Sequence, residues 1–493
     1  MEQEYIFTNT NIISRDAIRV DIVDKNDVIL ATNIKLYDFY LNKDLITNNE
    51  STIDIIVKIF PFLNKETLLK KITNHKSKLI LIKNGITESQ KNEIKKTIFG
   101  FEFMESLVRI YPHQELFSHI IGFTNSDKHG IEGLELQYND YLDNKDNPPL
   151  KLTFDSRIQA ILRKQLLKGM EKYKAKSIIG IVAEVKTGNV LALVNLPDFN
   201  PNQLNDVKRD VMYNKVTFGA FEMGSIFKIF TIAMALDGNI ITENEQFDSS
   251  SKIDIGKYII KQDYYSKKMI NAKEILQKSS NIGAALIGLK GGADNMKQFY
   301  KKIGFFDKLP VKYPSLAMPL YPRTWRKSNT ITTSYGYGMA VSPLHIIMGV
   351  SGIVNEGIMN IPKFVTSEKY EKVEIISQKT SKIMQNYLRD VVQNGTGFRA
   401  NTLGYSVGGK TGSARLLGRG GEYLEGQIMA NFVGIFPMNN PHYVVYVMVE
   451  NPQDNNYKKN IDIAASNVTA PIVSKIIENI APILNVVPYI EGL

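Results

Sequence analysis

The sequence predicts an α+β protein in which an antiparallel sheet is flanked by helices and follows a separate N-terminal domain. Strand-like runs lie at both ends of the second part of the chain, around a helix-rich centre, and this order favours one sheet covered by helices. An Asn/Asp/Pro cluster at 143–149 is typical of a linker. Because 493 residues exceed what one compact core holds, we predict domains at 1–148 and 149–493.

The N-terminal domain reads as a strand pair followed by helices. The run RVDIVDKNDVILATNIKLYDFY alternates with period two around the turn signal Asn26-Asp27, which predicts a hairpin. Residues 64–97 are rich in lysine and carry apolar residues at helical spacing, which predicts solvated amphipathic helices.

The second domain opens with a short strand and a helix that Asp155 or Ser156 caps. The run SIIGIVAEVKTGNVLALV then predicts a hairpin that turns at Thr187-Gly188. Helical patterns fill about 220–300 and 342–395. The runs GYSVGGKTGSARL, MANFVGIFPM and HYVVYVMVEN predict strands, and PIVSKIIENIAPIL predicts a final helix.

Composition excludes several kinds of function. There is no cysteine, so thiol catalysis, disulfides and thiolate zinc sites are excluded. Six histidines are scattered without metal-ligand spacing, and we predict no metal and no organic cofactor. The net charge of +10 suits anionic surfaces such as lipid headgroups or wall polymers. No basic block stands out, so we predict no nucleic-acid partner.

Three short motifs carry the chemistry: Ser225-x-x-Lys228, Ser279-Ser280-Asn281 and Lys410-Thr411-Gly412. This set is known from serine β-lactamases and penicillin-binding proteins. Ser225 opens the apolar run SIFKIFTIAMAL, which predicts a buried helix whose first turn favours a developing oxyanion. Lys228 lies one turn along the same face. Burial and the charge of Lys410 would lower its pKa, so that it can act as the base for Ser225.

The third motif lies in a predicted strand and is expected to bind substrate. Gly412 has no side chain, so a substrate backbone could approach and pair along this edge. Lys410 offers a charge, and Thr411 and Ser413 offer hydroxyls, to a peptide carboxylate. The backbone N–H groups of Ser413 and Ser225 would form the oxyanion hole.

The second motif supplies polar groups between the other two. Ser279 is predicted to shuttle a proton, Asn281 to hold a substrate amide, and Ser280 to bind substrate. We also predict that Trp325 packs more than it lines the cleft, and that Glu132 and Glu135 fix the N-terminal domain against the catalytic one.

Two decoys show that each motif alone is weak. Lys186-Thr187-Gly188 is interpreted as a hairpin turn, and Ser249 with Lys252 as a solvated Ser-rich loop. Ser225 differs, because a glycine precedes it and a buried helix follows it.

From about residue 19 to 471 the chain resembles the class B high-molecular-weight penicillin-binding proteins, in particular the septal, division-associated peptidoglycan D,D-transpeptidases. The motifs that carry the resemblance are FEMGSIFK, KSSNIGAA, GGKTGSA, SYGYGMAVSP, NGTGFRA, FVGIFP, RIYPHQELFSHIIGF and HGIEGLE. It implies the penicillin-binding transpeptidase fold, with a five-stranded antiparallel sheet, behind an elongated N-terminal pedestal. It also implies that Ser225 is acylated by D-Ala-D-Ala stem peptides and by β-lactams.

Departures from the family pattern are few. Val20 and Asp27 stand where glycines are usual, Met223 where proline is usual, and Ile226 and Ser413 where threonines are usual. The family's N-terminal membrane helix is missing from this sequence. We expect the native protein to be anchored in the inner membrane with its bulk on the periplasmic side, beside a membrane-embedded glycosyltransferase and other division proteins. The alternatives are an elongation-type transpeptidase, a β-lactamase and a non-catalytic β-lactam-binding scaffold.

Overall fold

The computed structural model of the chain describes residues 19–46, 49–250, 252–254, 259–260, 268–418, 422–453 and 464–488. Up to residue 148 the elements follow in the order β1 (Ile22–Val23), β2 (Ile29–Asn42), α1 (Asn49–Ile59), α2 (Lys65–Asn74), β3 (Leu79–Ile86), α3 (Glu88–Thr97), β4 (Phe101–Ile110), α4 (Ser118–Ile121), α5 (Gly133–Gln137) and α6 (Asn139–Asp143).

From residue 149 onward the order is β5 (Leu150–Lys151), α7 (Ser156–Lys172), β6 (Ser177–Glu184), β7 (Val190–Leu196), α8 (Arg209–Met212), α9 (Phe227–Asp237), β8 (Phe247–Asp248), β9 (Ile253–Asp254), β10 (Ile259–Ile260), β11 (Met269–Ile270), α10 (Ala272–Lys278), α11 (Asn281–Lys302), α12 (Lys327–Thr333), α13 (Pro343–Val354), β12 (Ile358–Met359), β13 (Val373–Glu374), α14 (Gln378–Asn394), β14 (Gly408–Leu417), β15 (Tyr423–Phe436), β16 (Tyr443–Glu450) and α15 (Ala465–Ile480).

The N-terminal domain is built around the long strand β2, which pairs antiparallel with β1, β3 and β4. The predicted hairpin at its start is present. The Asp24 carboxylate accepts hydrogen bonds from the amides of Asn26 and Val28 at 2.7 and 3.0 Å, and Asp27 adopts a left-handed φ of 65°. Helices α1 to α3 bury their apolar faces against β2 and β3 in a small core of their own.

A buried ion cluster fastens the base of this domain. Glu135 is fully buried and accepts from Arg19 at 2.8 Å and from Arg109 at 2.8 Å. The prediction that Glu135 fixes the N-terminal domain against the catalytic one is therefore wrong, since both partners belong to its own domain. Glu132 does reach across, because the hydroxyl of Ser315 donates to it at 3.2 Å.

The catalytic domain contains the predicted five-stranded sheet, in the order β14-β15-β16-β6-β7, and every neighbouring pair is antiparallel. Strand residues alternate between its two faces because the side-chain period of a strand is two. One face packs against the helical core that contains α9, α11 and α13, and the other packs against α7 and α15. The predicted α+β fold class is thus confirmed.

The two domains are continuous at residue 148. Strand β5 pairs in parallel with β1 and so joins the sheet of the N-terminal domain. Ile22 and Leu134 from the first domain also lie in the same hydrophobic core as Phe227 of the second. The boundary at 148 remains a prediction, and residues on both sides of it, such as Leu142 and Leu150, belong to this shared core.

Gly188 and Ser249 belong to the two decoy motifs, which were predicted to be a hairpin turn and a solvated loop. Gly188 turns the β6–β7 hairpin with a φ of 75°, as predicted. The interpretation of Ser249 as solvated is wrong: it is buried, and both its amide and its hydroxyl donate to the Lys268 carbonyl. None of the helices in the described part of the chain is long and apolar enough to cross a bilayer.

Candidate active site

Ser225 lies in a single 3-10 turn, Gly224–Ile226, that leads directly into α9. This helix is buried from Phe227 to Leu236 and is apolar there apart from Lys228 and Thr231, because it runs through the centre of the helical core. The start of a helix has unpaired amide N–H groups and a positive dipole end. The hydroxyl of Ser225 is thus held where negative charge is favoured.

Lys228 is the hub of the site. Its side chain is fully buried within α9, and its Nζ lies within hydrogen-bond distance of the Ser225 hydroxyl oxygen, at 2.9 Å. The same Nζ lies 2.5 Å from the Ser279 carbonyl oxygen, 3.1 Å from the Ser279 hydroxyl oxygen and 2.7 Å from Oδ1 of Asn281. The first two motifs, more than 50 residues apart in sequence, therefore meet at one nitrogen atom.

Ser279 links the two lysines. It ends α10 in the left-handed conformation, with a φ of 61° and a ψ of 39°, which costs energy for a residue with a side chain. In this conformation its hydroxyl accepts from Lys228 at 3.1 Å and from Lys410 at 2.9 Å. A proton could therefore pass along Lys410, Ser279 and Lys228 without any group moving far.

Lys410 lies on β14 and is fully buried. Burial, and then the charge of Lys228, lower its pKa well below the ordinary value for lysine. These are the two causes that we predicted for Lys228. The predicted contact of Lys410 with a peptide carboxylate is not supported, because its Nζ faces Ser279 and the Thr411 hydroxyl at 3.2 Å and has no exposed surface.

Thr411 and Ser413 place their hydroxyls on one face of β14, where Thr411 is buried. The hydroxyl of Thr411 lies 2.9 Å from that of Thr396, in the loop after α14. Ser413, two residues further along the same strand face, is exposed. Thr396 belongs to the segment NGTGFRA, which resembles the family pattern. A single sequence gives no signal that this residue contacts Thr411.

Two glycines allow the turn Gly224–Ile226, here called the nucleophile turn, to lie close against β14. Gly224 has a φ of 54°, and a Cβ there would lie 2.3 Å from the carbonyl oxygen and 3.3 Å from the amide nitrogen of Ser413. A Cβ on Gly336 would lie 1.9 Å from the carbonyl oxygen of Gly224. The backbone of Ser413 thus adjoins the residue before Ser225, and the oxyanion role of their two amides stays a prediction.

The substrate-binding prediction for Ser280 does not fit the geometry, and that for Gly412 stays a prediction. A Cβ on Gly412 would meet Oδ1 of Asn431 at 2.2 Å and the Met223 carbonyl at 2.5 Å, so the side of Gly412 where a Cβ would stand faces protein. Strand β14 is at the edge of the sheet, and pairing of a substrate backbone along it stays a prediction. Ser280 is buried and caps α11, accepting the amide of Gly283 at 3.1 Å. Both residues therefore shape the site from behind.

Other candidates lie apart from the chemistry. Trp325 packs against the rings of Tyr300 and Phe306, and its indole N–H donates to Thr330 at 3.0 Å, as the packing interpretation predicted. Within the described ranges no group of three His, Asp or Glu side chains could hold a metal ion.

An antiparallel sheet covered by helices, with a serine and two buried lysines at its edge, is the arrangement of the serine proteins that recognise penicillin. Residues 178–478 match the penicillin binding protein transpeptidase domain, and residues 14–148 match the penicillin-binding protein dimerisation domain. The chain belongs to the penicillin-binding protein transpeptidase family.

Similar proteins cover almost the whole chain. It is 29% identical to the "Probable peptidoglycan D,D-transpeptidase FtsI" of Caulobacter vibrioides over 96% of this chain and 82% of that protein. It is 29% identical to stage V sporulation protein D of Bacillus subtilis over 95% and 79%, and 27% identical to peptidoglycan D,D-transpeptidase FtsI of Escherichia coli K12 over 84% and 74%. The crystal structure of a candidate peptidoglycan glycosyltransferase from Atopobium parvulum superimposes with a TM-score of 0.74 at 22% identity, over 96% and 99%, and shares the fold.

Proposed function

We propose that this chain is a serine-type peptidoglycan D,D-transpeptidase that cross-links stem peptides during septal wall synthesis. The observation that carries the proposal is the contact of one buried nitrogen, Nζ of Lys228, with the hydroxyls of both Ser225 and Ser279. A serine hydroxyl is a weak nucleophile unless a base accepts its proton, and this arrangement supplies one in a water-poor setting. The FtsI names of the relatives support the septal role.

The reaction follows from the proton path. The Ser225 hydroxyl attacks the carbonyl of the penultimate D-alanine, and its proton moves to the unprotonated Lys228 amine. The C–N bond to the terminal D-alanine breaks, and the leaving nitrogen takes up a proton through the Ser279 hydroxyl. An amine of a neighbouring stem then attacks the ester carbonyl and gives a proton to Lys228. The acyl C–O bond to Ser225 breaks as the new amide forms, and the Ser225 oxygen takes that proton.

Substrate and partners are assigned by chemistry. The hydroxyls of Thr411 and Ser413 would bind the terminal carboxylate, the Asn281 amide the stem backbone, and the amides of Ser225 and Ser413 the oxyanion. β-Lactams would acylate Ser225 by the same attack. We further propose that the protein works at the periplasmic side of the inner membrane with a membrane-embedded glycosyltransferase and other division proteins.

Labelling with a fluorescent penicillin, followed by mass spectrometry of the modified peptide, tests the proposal. We expect one label per chain, on Ser225, its loss in Ser225→Ala, and a fall of about 10²-fold or more in Lys228→Ala. Ser249→Ala alters the decoy motif and serves as the matched control that should label normally. Label on another residue would refute the mechanism. Turnover of penicillin within seconds would identify a β-lactamase. Unchanged wall cross-linking in cells whose only copy of the protein is Ser225→Ala would identify a non-catalytic scaffold.

A further inference from the structure

Glu222 is a buried carboxylate at the entrance to the nucleophile turn. Its Oε1 accepts the amide of Gly338 at 2.6 Å, and its Oε2 accepts the hydroxyl of Tyr423 at 3.0 Å, with a longer bond of 3.3 Å from the same hydroxyl to Oε1. Every group that reaches Glu222 is a hydrogen-bond donor, which suits the ionised form. Among the described residues no basic side chain forms an ion pair with it.

This arrangement costs stability. Burial raises the pKa of Glu222, against the two hydrogen bonds that lower it. A buried carboxylate without a cation partner is unfavourable relative to a neutral group of the same shape. Glutamine has that shape, so stability alone gives no reason for glutamate here.

The carboxylate lies where three segments meet around the site. The segment before Ser225 is hydrogen-bonded to residues 334–343, here called the glycine-rich segment. Phe221 and Val341 exchange amide-to-carbonyl bonds of 3.0 Å, and the Gly224 amide donates to the Gly336 carbonyl at 3.2 Å. Glu222 adds the bond to Gly338. Through Tyr423 it also reaches the β14–β15 hairpin, the arm that carries Lys410.

A second contact fixes the same hairpin. The ring of Tyr337 packs edge-on against that of Tyr423, with ring centroids 6.0 Å apart. Tyr423 itself is 42% exposed, so its position depends on the bonds to Glu222 and on this ring contact.

We propose that Glu222 is a positioning residue for acylation of Ser225, because both of its oxygens together hold the nucleophile turn, the glycine-rich segment and the β14–β15 hairpin in one fixed arrangement. The inference rests on the proposed acylation of Ser225. Errors of about 1 Å in the placement of reacting groups can cost about 10²-fold in rate. A looser arrangement therefore lowers the acylation rate constant and not the affinity of the binding step.

The test compares Glu222→Gln, Tyr423→Phe and the double variant by stopped-flow acylation with a fluorescent penicillin, which separates the acylation rate constant from the dissociation constant. Glutamine keeps one acceptor oxygen and loses the other. We expect an acylation rate constant lower by about five- to tenfold, a dissociation constant within about twofold of wild type and an unfolding temperature that is unchanged or higher. The double variant should be no slower than the slower single variant, since both changes remove the same link.

The chain offers a matched control. Glu368 is also a buried carboxylate that accepts a tyrosine hydroxyl, from Tyr138 at 2.7 Å, and backbone amides, from Phe364 at 3.0 Å and Val365 at 3.3 Å. Glu368→Gln and Tyr138→Phe should acylate as wild type does. The inference is overturned if Glu222→Gln acylates at the wild-type rate, if the two effects multiply in the double variant, or if Glu368→Gln slows acylation equally. If Glu222→Gln does not fold, Tyr423→Phe at the wild-type rate overturns it alone. Failure of the wild-type protein to label at Ser225 would refute the proposed function itself.

Discussion

Gly224→Ala tests how closely the nucleophile turn must approach β14. The φ of 54° at this residue costs an alanine about 1 kcal/mol or more. Its Cβ would lie 2.3 Å from the Ser413 carbonyl oxygen, whereas ordinary contact begins at 3.4 Å, so one backbone has to move by roughly 1 Å. A shift of that size between Ser225 and Ser413 predicts a loss of about 10²-fold in the acylation rate constant.

Stopped-flow acylation and thermal unfolding of the same samples give the answer. Gly292→Ala is the matched control, because its φ is 77° but nothing lies within 4 Å of the added Cβ. Because its ψ is 164°, Gly292→Ala should lose about 1–3 kcal/mol of unfolding free energy and keep the wild-type acylation rate. If Gly224→Ala acylates within about threefold of wild type, the turn does not need this approach and the geometric reasoning is refuted.

Two further predictions concern buried charges. Burial and the charge of Lys228 lower the pKa of Lys410 well below 10.5, so below that pH the unfolded chain binds more protons and the buried lysine costs stability. Lys410→Met should therefore unfold at a higher temperature while acylation falls by about 10²-fold or more, and a lower unfolding temperature would contradict this. At Glu450, burial acts to raise the pKa, but bonds from Lys176 and Lys215 outweigh it and lower the pKa to about 2. This stabilises the fold above about pH 4.5 and is lost as the pH falls toward 2. Glu450→Gln should thus lose about 3 kcal/mol of unfolding free energy in urea at pH 7, and an unchanged value would contradict it.

The fold class and the contact between Ser225 and Lys228 could be predicted from the sequence, for physical reasons. The run after Ser225 is apolar apart from Lys228 and Thr231 and so predicts a buried helix, and a lysine three residues on then lies beside the Ser225 hydroxyl, at 2.9 Å. Alternating apolar strands on both sides of a helical centre left an antiparallel sheet as the simplest way to bury them. Local patterns of this kind depend on neighbours in sequence.

What the sequence could not predict depends on neighbours in space. The missing side chain of Gly412 predicted open space for substrate, because nothing in the sequence reveals that Asn431 and the Met223 carbonyl fill the side where a Cβ would stand. Glu222 gave no signal, since its partners Gly338 and Tyr423 lie more than 100 residues away. Pairings across such distances are fixed by tertiary packing.

The shared core at the junction of the two domains has a mechanical consequence. Ile22 and Leu134 pack in the same cluster as Phe227, the residue that begins α9 just after Ser225. Close-packed interiors have low compressibility and transmit displacement. If a partner pulled on the far end of β2, the force would therefore be transmitted through this core to α9. We also expect a chain truncated at residue 148 to lose solubility.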